Sequence, residues 1–116
     1  MCKGMKRMLE AGVNPNRMTI SSDGQGSLPM YSKDGEFLGM GVGQSSCLLK
    51  EVKECVFKAD IPLEIALSTI TSNPAEILRL KGKGKIEEGY DADLCILDQD
   101  LQLVEVIARG KTVYTK

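Results

Sequence analysis

The residues with the clearest chemical potential stand in the run Ser21-Ser22-Asp23-Gly24-Gln25-Gly26-Ser27. Asp23 falls where a β-prone stretch ends, so its carboxylate is placed to ligate a metal ion or to carry a proton. Gly24 and Gly26 would let the backbone come close to a bound molecule. The same pattern also suits an Asx-turn, in which Asp23 only accepts backbone N–H groups. The residues alone leave both readings open. What surrounds Asp23 in composition is more decisive: the chain has no histidine. A Ser-His-Asp triad, a Cys-His pair and any histidine-ligated metal site within the chain are thereby excluded.

The remaining motifs are weaker. Gly39-Met40-Gly41-Val42-Gly43 precedes a helical pattern, but neither dinucleotide-fingerprint nor P-loop spacing is met, so it carries no nucleotide-binding assignment. Gly82-Lys83-Gly84-Lys85 lacks a following Ser/Thr and reads as a turn. Lys53, Glu54 and Lys58 read as a solvated helix face. Cys2, Cys47, Cys55 and Cys95 are widely spaced, with no C-x-x-C pair, and read as buried free thiols. No EF-hand spacing is present for calcium.

These residues must be positioned by a mixed set of elements. A short helix is expected over Lys3–Ala11, with Gly12 in the left-handed position past its end and a turn at Asn14-Pro15-Asn16. Arg17–Ser22 follows as a short strand, and Gly24–Gly43 as a long glycine-rich loop. Ser45–Lys58 has helical periodicity, with Leu48, Leu49, Val52, Val56 and Phe57 on one face. A second helix begins at Pro62 and contains Leu63, Ile65, Ala66, Leu67 and Ile70. Asn73-Pro74-Ala75-Glu76 has capping-box spacing and should start a third helix reaching about Leu80. From Gly82 the period changes to strand-like runs at Asp93–Asp98, Leu101–Ala108 and Lys111–Thr115, the last two meeting at an Arg109-Gly110 turn.

Length and composition set the outer bounds. At 116 residues the chain supports one domain with a modest core, built from aliphatic residues because aromatics make up only 4%. The net charge of -1, with signs interspersed, gives no basic stripe for nucleic acid. No apolar run approaches the roughly 20 residues that span a bilayer. No signal-peptide core follows the basic start, and the expected compartment is cytoplasmic.

A family resemblance sharpens Asp23. Thr19-Ile20-Ser21-Ser22-Asp23-Gly24-Gln25-Gly26-Ser27-Leu28-Pro29 resembles the signature loop of the isoaspartyl (β-aspartyl) dipeptidases of the amidohydrolase superfamily. Leu63–Leu67 with Thr71–Ala75 resembles the superfamily's helix pair after the last barrel strand. Gly84-Lys85-Ile86-Glu87-Glu88-Gly89-Tyr90-Asp91-Ala92-Asp93-Leu94 is similar to its G-x-I-x-x-G-x-D-A-D-L segment, and Val106–Lys111 to its closing V-x-A-R-G-K hairpin. The resemblance implies an α/β chain. Residues 1–81 would be the last strand and following helices of a (β/α)8 barrel, and residues 82–116 part of a small β-sandwich domain.

It further implies that Asp23 is a catalytic residue at a centre of two zinc ions, contacting metal and relaying a proton during β-aspartyl dipeptide hydrolysis. Ser27, Gly24 and Gly26 would meet the substrate. The family's histidine pair, its further strand-end histidines and its bridging lysine have no counterpart here. The expectation is therefore a C-terminal portion of such a hydrolase, inactive by itself and binding no zinc alone. Two alternatives follow: half of a split enzyme completed by a separate N-terminal chain, or a non-catalytic module that self-associates. Homo-oligomers are expected in either case, with no nucleic-acid or membrane partner.

Overall fold

The computed structural model describes all 116 residues. Helix α1 (Cys2–Glu10) ends with Gly12 in the left-handed conformation, and the Val13 N–H closes back on the Met8 carbonyl at 3.0 Å. A 3-10 turn at Pro15–Arg17 follows, started by the Asn14 side chain accepting from the Asn16 N–H at 3.0 Å. Strands β1 (Ser27–Tyr31) and β2 (Phe37–Val42) form an antiparallel hairpin, with Ser27 opposite Val42. Three helices come next: α2 (Cys47–Ala59), α3 (Leu63–Ser68) and α4 (Ser72–Ile77). Strands β3 (Leu94–Leu97), β4 (Leu103–Ala108) and β5 (Lys111–Thr115) then form an antiparallel sheet in that order.

The core lies among the helices. Cys2 and Met5 of α1 pack against Val52, Cys55 and Ala59 of α2, with Met18, Ile61 and Ala66 completing the cluster. The buried stripe of α2 is thus rotated from the expected one: Cys55 and Ala59 take the inside, while Phe57 is exposed. Asp60, at φ +53, ends α2 and turns the chain toward α3. No helix is long and apolar enough to cross a membrane.

Three expected elements are corrected. Arg17–Ser22 forms no strand: Arg17 closes the 3-10 turn, and residues 18–22 join no ladder. Gly24–Gly43 is not an irregular loop: most of it is the β1–β2 hairpin. Asn73 does not cap a helix. It lies inside α4, whose N-cap is Thr71, and its amide is spent on distant carbonyls. That helix also stops at Ile77, where Arg79 turns left-handed at φ +55 and the Leu80 N–H bonds the Ala75 carbonyl at 2.8 Å. Within residues 82–116 the strands make a single three-stranded layer, and the hairpin forms a separate two-stranded sheet.

Candidate functional site

The run leading to Asp23 is fixed from the helical side. Asn73, 2% exposed, donates through Nδ2 to the Met18 carbonyl at 2.7 Å and to the Pro15 carbonyl at 2.8 Å. Two residues further on, the Ile20 N–H donates to the Thr69 carbonyl at 3.1 Å. Met18 itself is buried in the core. An extended run without a ladder is therefore held by an α4 side chain and the backbone at the end of α3, and its free end is Asp23.

Asp23 adopts φ +48 and Gln25 φ +66. The Gly26 N–H donates to the Asp23 carbonyl at 2.8 Å, closing a tight turn over Gly24 and Gln25. The Gln25 N–H bonds the Gly43 carbonyl, and the Gly43 N–H bonds the Gly26 carbonyl, both at 2.8 Å. This pair ties the turn to the root of the hairpin. The Asp23 carboxylate lies directly over Gly26, where a Cβ would come within 2.5 Å of Oδ2. At buried Gly43 a Cβ would collide with the Asp23 carbonyl. These two glycines give Asp23 its space.

The sequence-predicted residues separate on this geometry. Asp23 and Gly26 are brought together. Gly24 forms the turn, but a Cβ there would meet only Ser22 Oγ, at an ordinary 3.4 Å. Ser27 opens β1 with its side chain exposed and no hydrogen bond from its hydroxyl. The Asp23 carboxylate is exposed and accepts no hydrogen bond from the chain, so the Asx-turn reading does not describe it. It belongs to no group of three Cys, Asp or Glu side chains close enough to share an ion. The convergence of three such groups in the chain is Cys2 of α1 with Glu51 and Glu54 of α2. Asp23 alone does not make a metal centre.

Sequence reasoning missed two contributors. Asn73 was assigned to a cap, although its amide anchors the run to Asp23. Gly43 was placed in a loop, although its lack of a side chain admits the Asp23 backbone. The hairpin had one signal, the Asp34-Gly35 pair between apolar runs. In the structure Gly35 takes φ +85 there, and the Ser32 N–H bonds the Glu36 carbonyl at 2.8 Å.

A second polar cluster ties the segment that follows α4 to the sheet. Lys83 Nζ bridges Asp91, at 2.9 Å, and Asp93, whose other oxygen accepts the Arg109 N–H at 2.8 Å. The bond from Lys83, then that from Arg109, holds the Asp93 carboxyl below its ordinary range, and the two aspartates raise Lys83. This is the chemistry of a structural clasp. An apolar groove of about 620 Å³ between the helices and β3, lined in part by Leu48, Leu67, Ile70, Cys95 and Leu97, does not include Asp23. The cysteines also divide: Cys2 and Cys55 are buried as expected, Cys47 is half-buried, and Cys95 is exposed on edge strand β3.

The model of the amidohydrolase family matches residues 1–113. Among solved structures, the chain is similar to the β-aspartyl dipeptidase of Fervidobacterium islandicum AW-1 in complex with β-Asp-Leu dipeptide. The identity is 35% and the TM-score 0.83, over 99% of this chain and 29% of that one. The N-acetylglucosamine-6-phosphate deacetylase of Pasteurella multocida shares the fold at a TM-score of 0.71 and 18% identity, over 99% of this chain and 34% of that one. Among curated proteins, a dihydroorotase of Thermoplasma acidophilum is 30% identical over 93 residues, 80% of this chain and 22% of its own length. A dihydroorotase of Endomicrobium trichonymphae is 40% identical over 57 residues, 49% of this chain and 14% of its own length. The chain thus spans less than a third of the dipeptidase and of both dihydroorotases.

Proposed function

The chain belongs to the amidohydrolase family, and from that premise we propose that it supplies the proton-carrying end of a β-aspartyl dipeptide hydrolase site. The observation that carries this reading is the Asp23 carboxylate: exposed, free of partners, and held over Gly26 at the end of an anchored run. The structural likeness to a β-aspartyl dipeptidase, at 35% identity, favours that substrate class over the cyclic amides suggested by the name dihydroorotase.

In amide hydrolysis a water oxygen bonds to the carbonyl carbon and the carbon–nitrogen bond breaks. A carboxylate so placed accepts the proton that the water gives up and returns it to the departing amine nitrogen. Asp23 is suited to both transfers because no internal bond competes for its oxygens. Ser27 and the Gly24–Gly26 backbone border the same turn and would meet the dipeptide. The zinc ions of such a site would need ligands from outside this chain, since it has no histidine and Asp23 is part of no three-residue group that could hold an ion.

The test is complementation. The purified chain, given zinc and β-Asp-Leu, should show no turnover by itself. Mixed with the remaining barrel segment of a relative, it should hydrolyse the dipeptide. Asp23→Asn should lower that activity by roughly 100-fold or more, the scale of a lost general acid–base. Turnover by the chain alone, or an Asp23→Asn mixture as active as the parent, overturns the proposal. A second reading, self-association without catalysis, draws on the exposed Phe37, Leu38, Met40 and Val42 of β2. Elution as a concentration-independent monomer in sizing chromatography would remove it.

A further inference from the structure

The seam between α1 and α2 gathers groups that the site at Asp23 does not use. Cys2 opens α1, while Glu51, Glu54 and Cys55 share one side of α2 through their three- and four-residue spacing. The Cys2 sulfur and a carboxylate oxygen from each of Glu51 and Glu54 lie within 4.8 Å of one another. Cys2 is buried and both glutamates are half-buried. Glu51 makes no ion pair or side-chain hydrogen bond, and Glu54 has only Lys58, at 3.3 Å, whose side chain is 72% exposed. Two carboxylates converging on a buried thiol repel one another unless a positive charge stands between them.

We propose that Cys2, Glu51 and Glu54 form a binding site for one thiophilic divalent cation of the zinc and cadmium class, separate from the site at Asp23. The donor set selects the ion: a thiolate sulfur favours zinc or cadmium over magnesium or calcium, and two carboxylates balance its charge. Three protein ligands leave one position for water, the usual arrangement of an open tetrahedral zinc site. Bond lengths of about 2.1 Å to oxygen and 2.3 Å to sulfur put tetrahedral donors roughly 3.4–3.6 Å apart. Contraction from the present spread of up to 4.8 Å would fall to the two glutamate side chains, which are only partly buried. On binding, the Cys2 thiol proton leaves to solvent and the sulfur bonds the ion.

Cys55 has a different part. Burial, and then the neighbouring Cys2 thiol and Glu51, push its thiol up to about 12 against the opposing pull of the Met1 ammonium. An ion here would join the first turn of α1 to the middle of α2, across the helix pair that carries most of the buried core.

The test is a cadmium titration of the reduced full chain, followed by the sulfur-to-cadmium charge-transfer absorbance in the ultraviolet, with zinc as competitor. The expected result is a saturable band, displaced by zinc, that is absent in Cys2→Ser and retained in Cys95→Ser and in Asp23→Asn. The double variant Glu51→Gln, Glu54→Gln should keep the parent's helical circular dichroism and bind roughly 10-fold or more weakly. Because both glutamates are only partly buried, that variant decides the matter even if Cys2→Ser fails to fold. A chain without the band overturns the proposal, as does a band that survives Cys2→Ser or is lost with Cys95→Ser. Glutamate-variant binding equal to the parent's also overturns it.

Discussion

All twelve buried residues of the chain lie at or before Ala75, and strands β3–β5 contain none. The helical part is a folded body with a core. The C-terminal sheet is a single layer held by its own ladders and by contacts at its entrance. Asp23 belongs to the first region although it precedes the hairpin, because its lead-in run is fastened to α4 and to the end of α3. The hairpin that follows it resembles the second region: every residue of β1 is exposed, and its ladder is its main support. The difference teaches which changes will reach the candidate site. Damage to the helical anchor should displace Asp23, whereas damage to the sheet should not.

The largest expected effect is at Asn73. Asn73→Ala removes the amide that bonds the Met18 and Pro15 carbonyls; the Met18 carbonyl is left without a donor, while the Pro15 carbonyl keeps the Met18 N–H at 3.2 Å. The cost should be about 2–4 kcal/mol of unfolding free energy, from two lost bonds with partners in or near the core. Urea unfolding followed by helical circular dichroism measures it. The control Val113→Ala, at a residue 63% exposed on β5, should change stability by less than about 0.5 kcal/mol. Equal effects from the two would erase the contrast between the regions.

Asn73 also shows where the sequence was legible and where it was not. The helices could be placed because their apolar positions recur with helical period, and the strands near Arg109-Gly110 because β-prone runs flank a turn. The partner of Asn73 could not be placed, since the same side chain that caps a helix locally can equally reach carbonyls 55 and 58 residues away. Arg17–Ser22 reads as a strand, but Arg17 ends a 3-10 turn, and the hydrogen bonds of Met18 and Ile20 go to a side chain and a helix end rather than to a strand. The hairpin was hidden because Gly39, Gly41 and Gly43 interrupt the alternation that marks a strand. For the site, Asp23 and its glycine neighbours could be found from residue type and local order. Gly43 could not, because a requirement for empty space has no local signature.

The joint between the regions supplies the next test. Gly84 has φ +85, and a Cβ on it would lie 2.7 Å from the Ala75 Cβ and 2.9 Å from the Thr71 carbonyl oxygen. Gly84→Ala therefore combines backbone strain with a collision against α4, for a cost of about 2–4 kcal/mol. Gly35 has the same φ with nothing within 4 Å, so Gly35→Ala isolates the strain, about 1–2 kcal/mol. Comparing the two by urea unfolding measures how tightly the sheet's entrance is seated on the helical body. If Gly84→Ala costs no more than Gly35→Ala, that seating contributes nothing to stability.

The smallest effect should come from the clasp formed by Lys83, Asp91 and Asp93, and it depends on pH. Lys83, followed by the Arg109 N–H, depresses Asp93 below its ordinary 3.8. A carboxyl depressed in the folded chain stabilises it above the unfolded value, and that contribution is lost as the pH falls through the folded value. Lys83 is raised above its ordinary 10.5 by Asp93 and Asp91. Its contribution is present below 10.5 and disappears as the pH climbs through the folded value. The clasp should hold across the neutral range and loosen at both extremes, with most of its charge attraction screened because it lies in water. Amide exchange at Arg109 and Gly110 should therefore quicken, beyond its intrinsic pH dependence, below about pH 4 and above about pH 10. Exchange at Ile20, on the helical side, should show no such excess. Asp93→Asn should remove the acid limb while leaving Ile20 protected, because its anchor at Thr69 contains no titrating group. Parallel loosening of Ile20 and Gly110 would mean that the chain opens as one unit, and that the position of Asp23 depends on the sheet as well as on the helices.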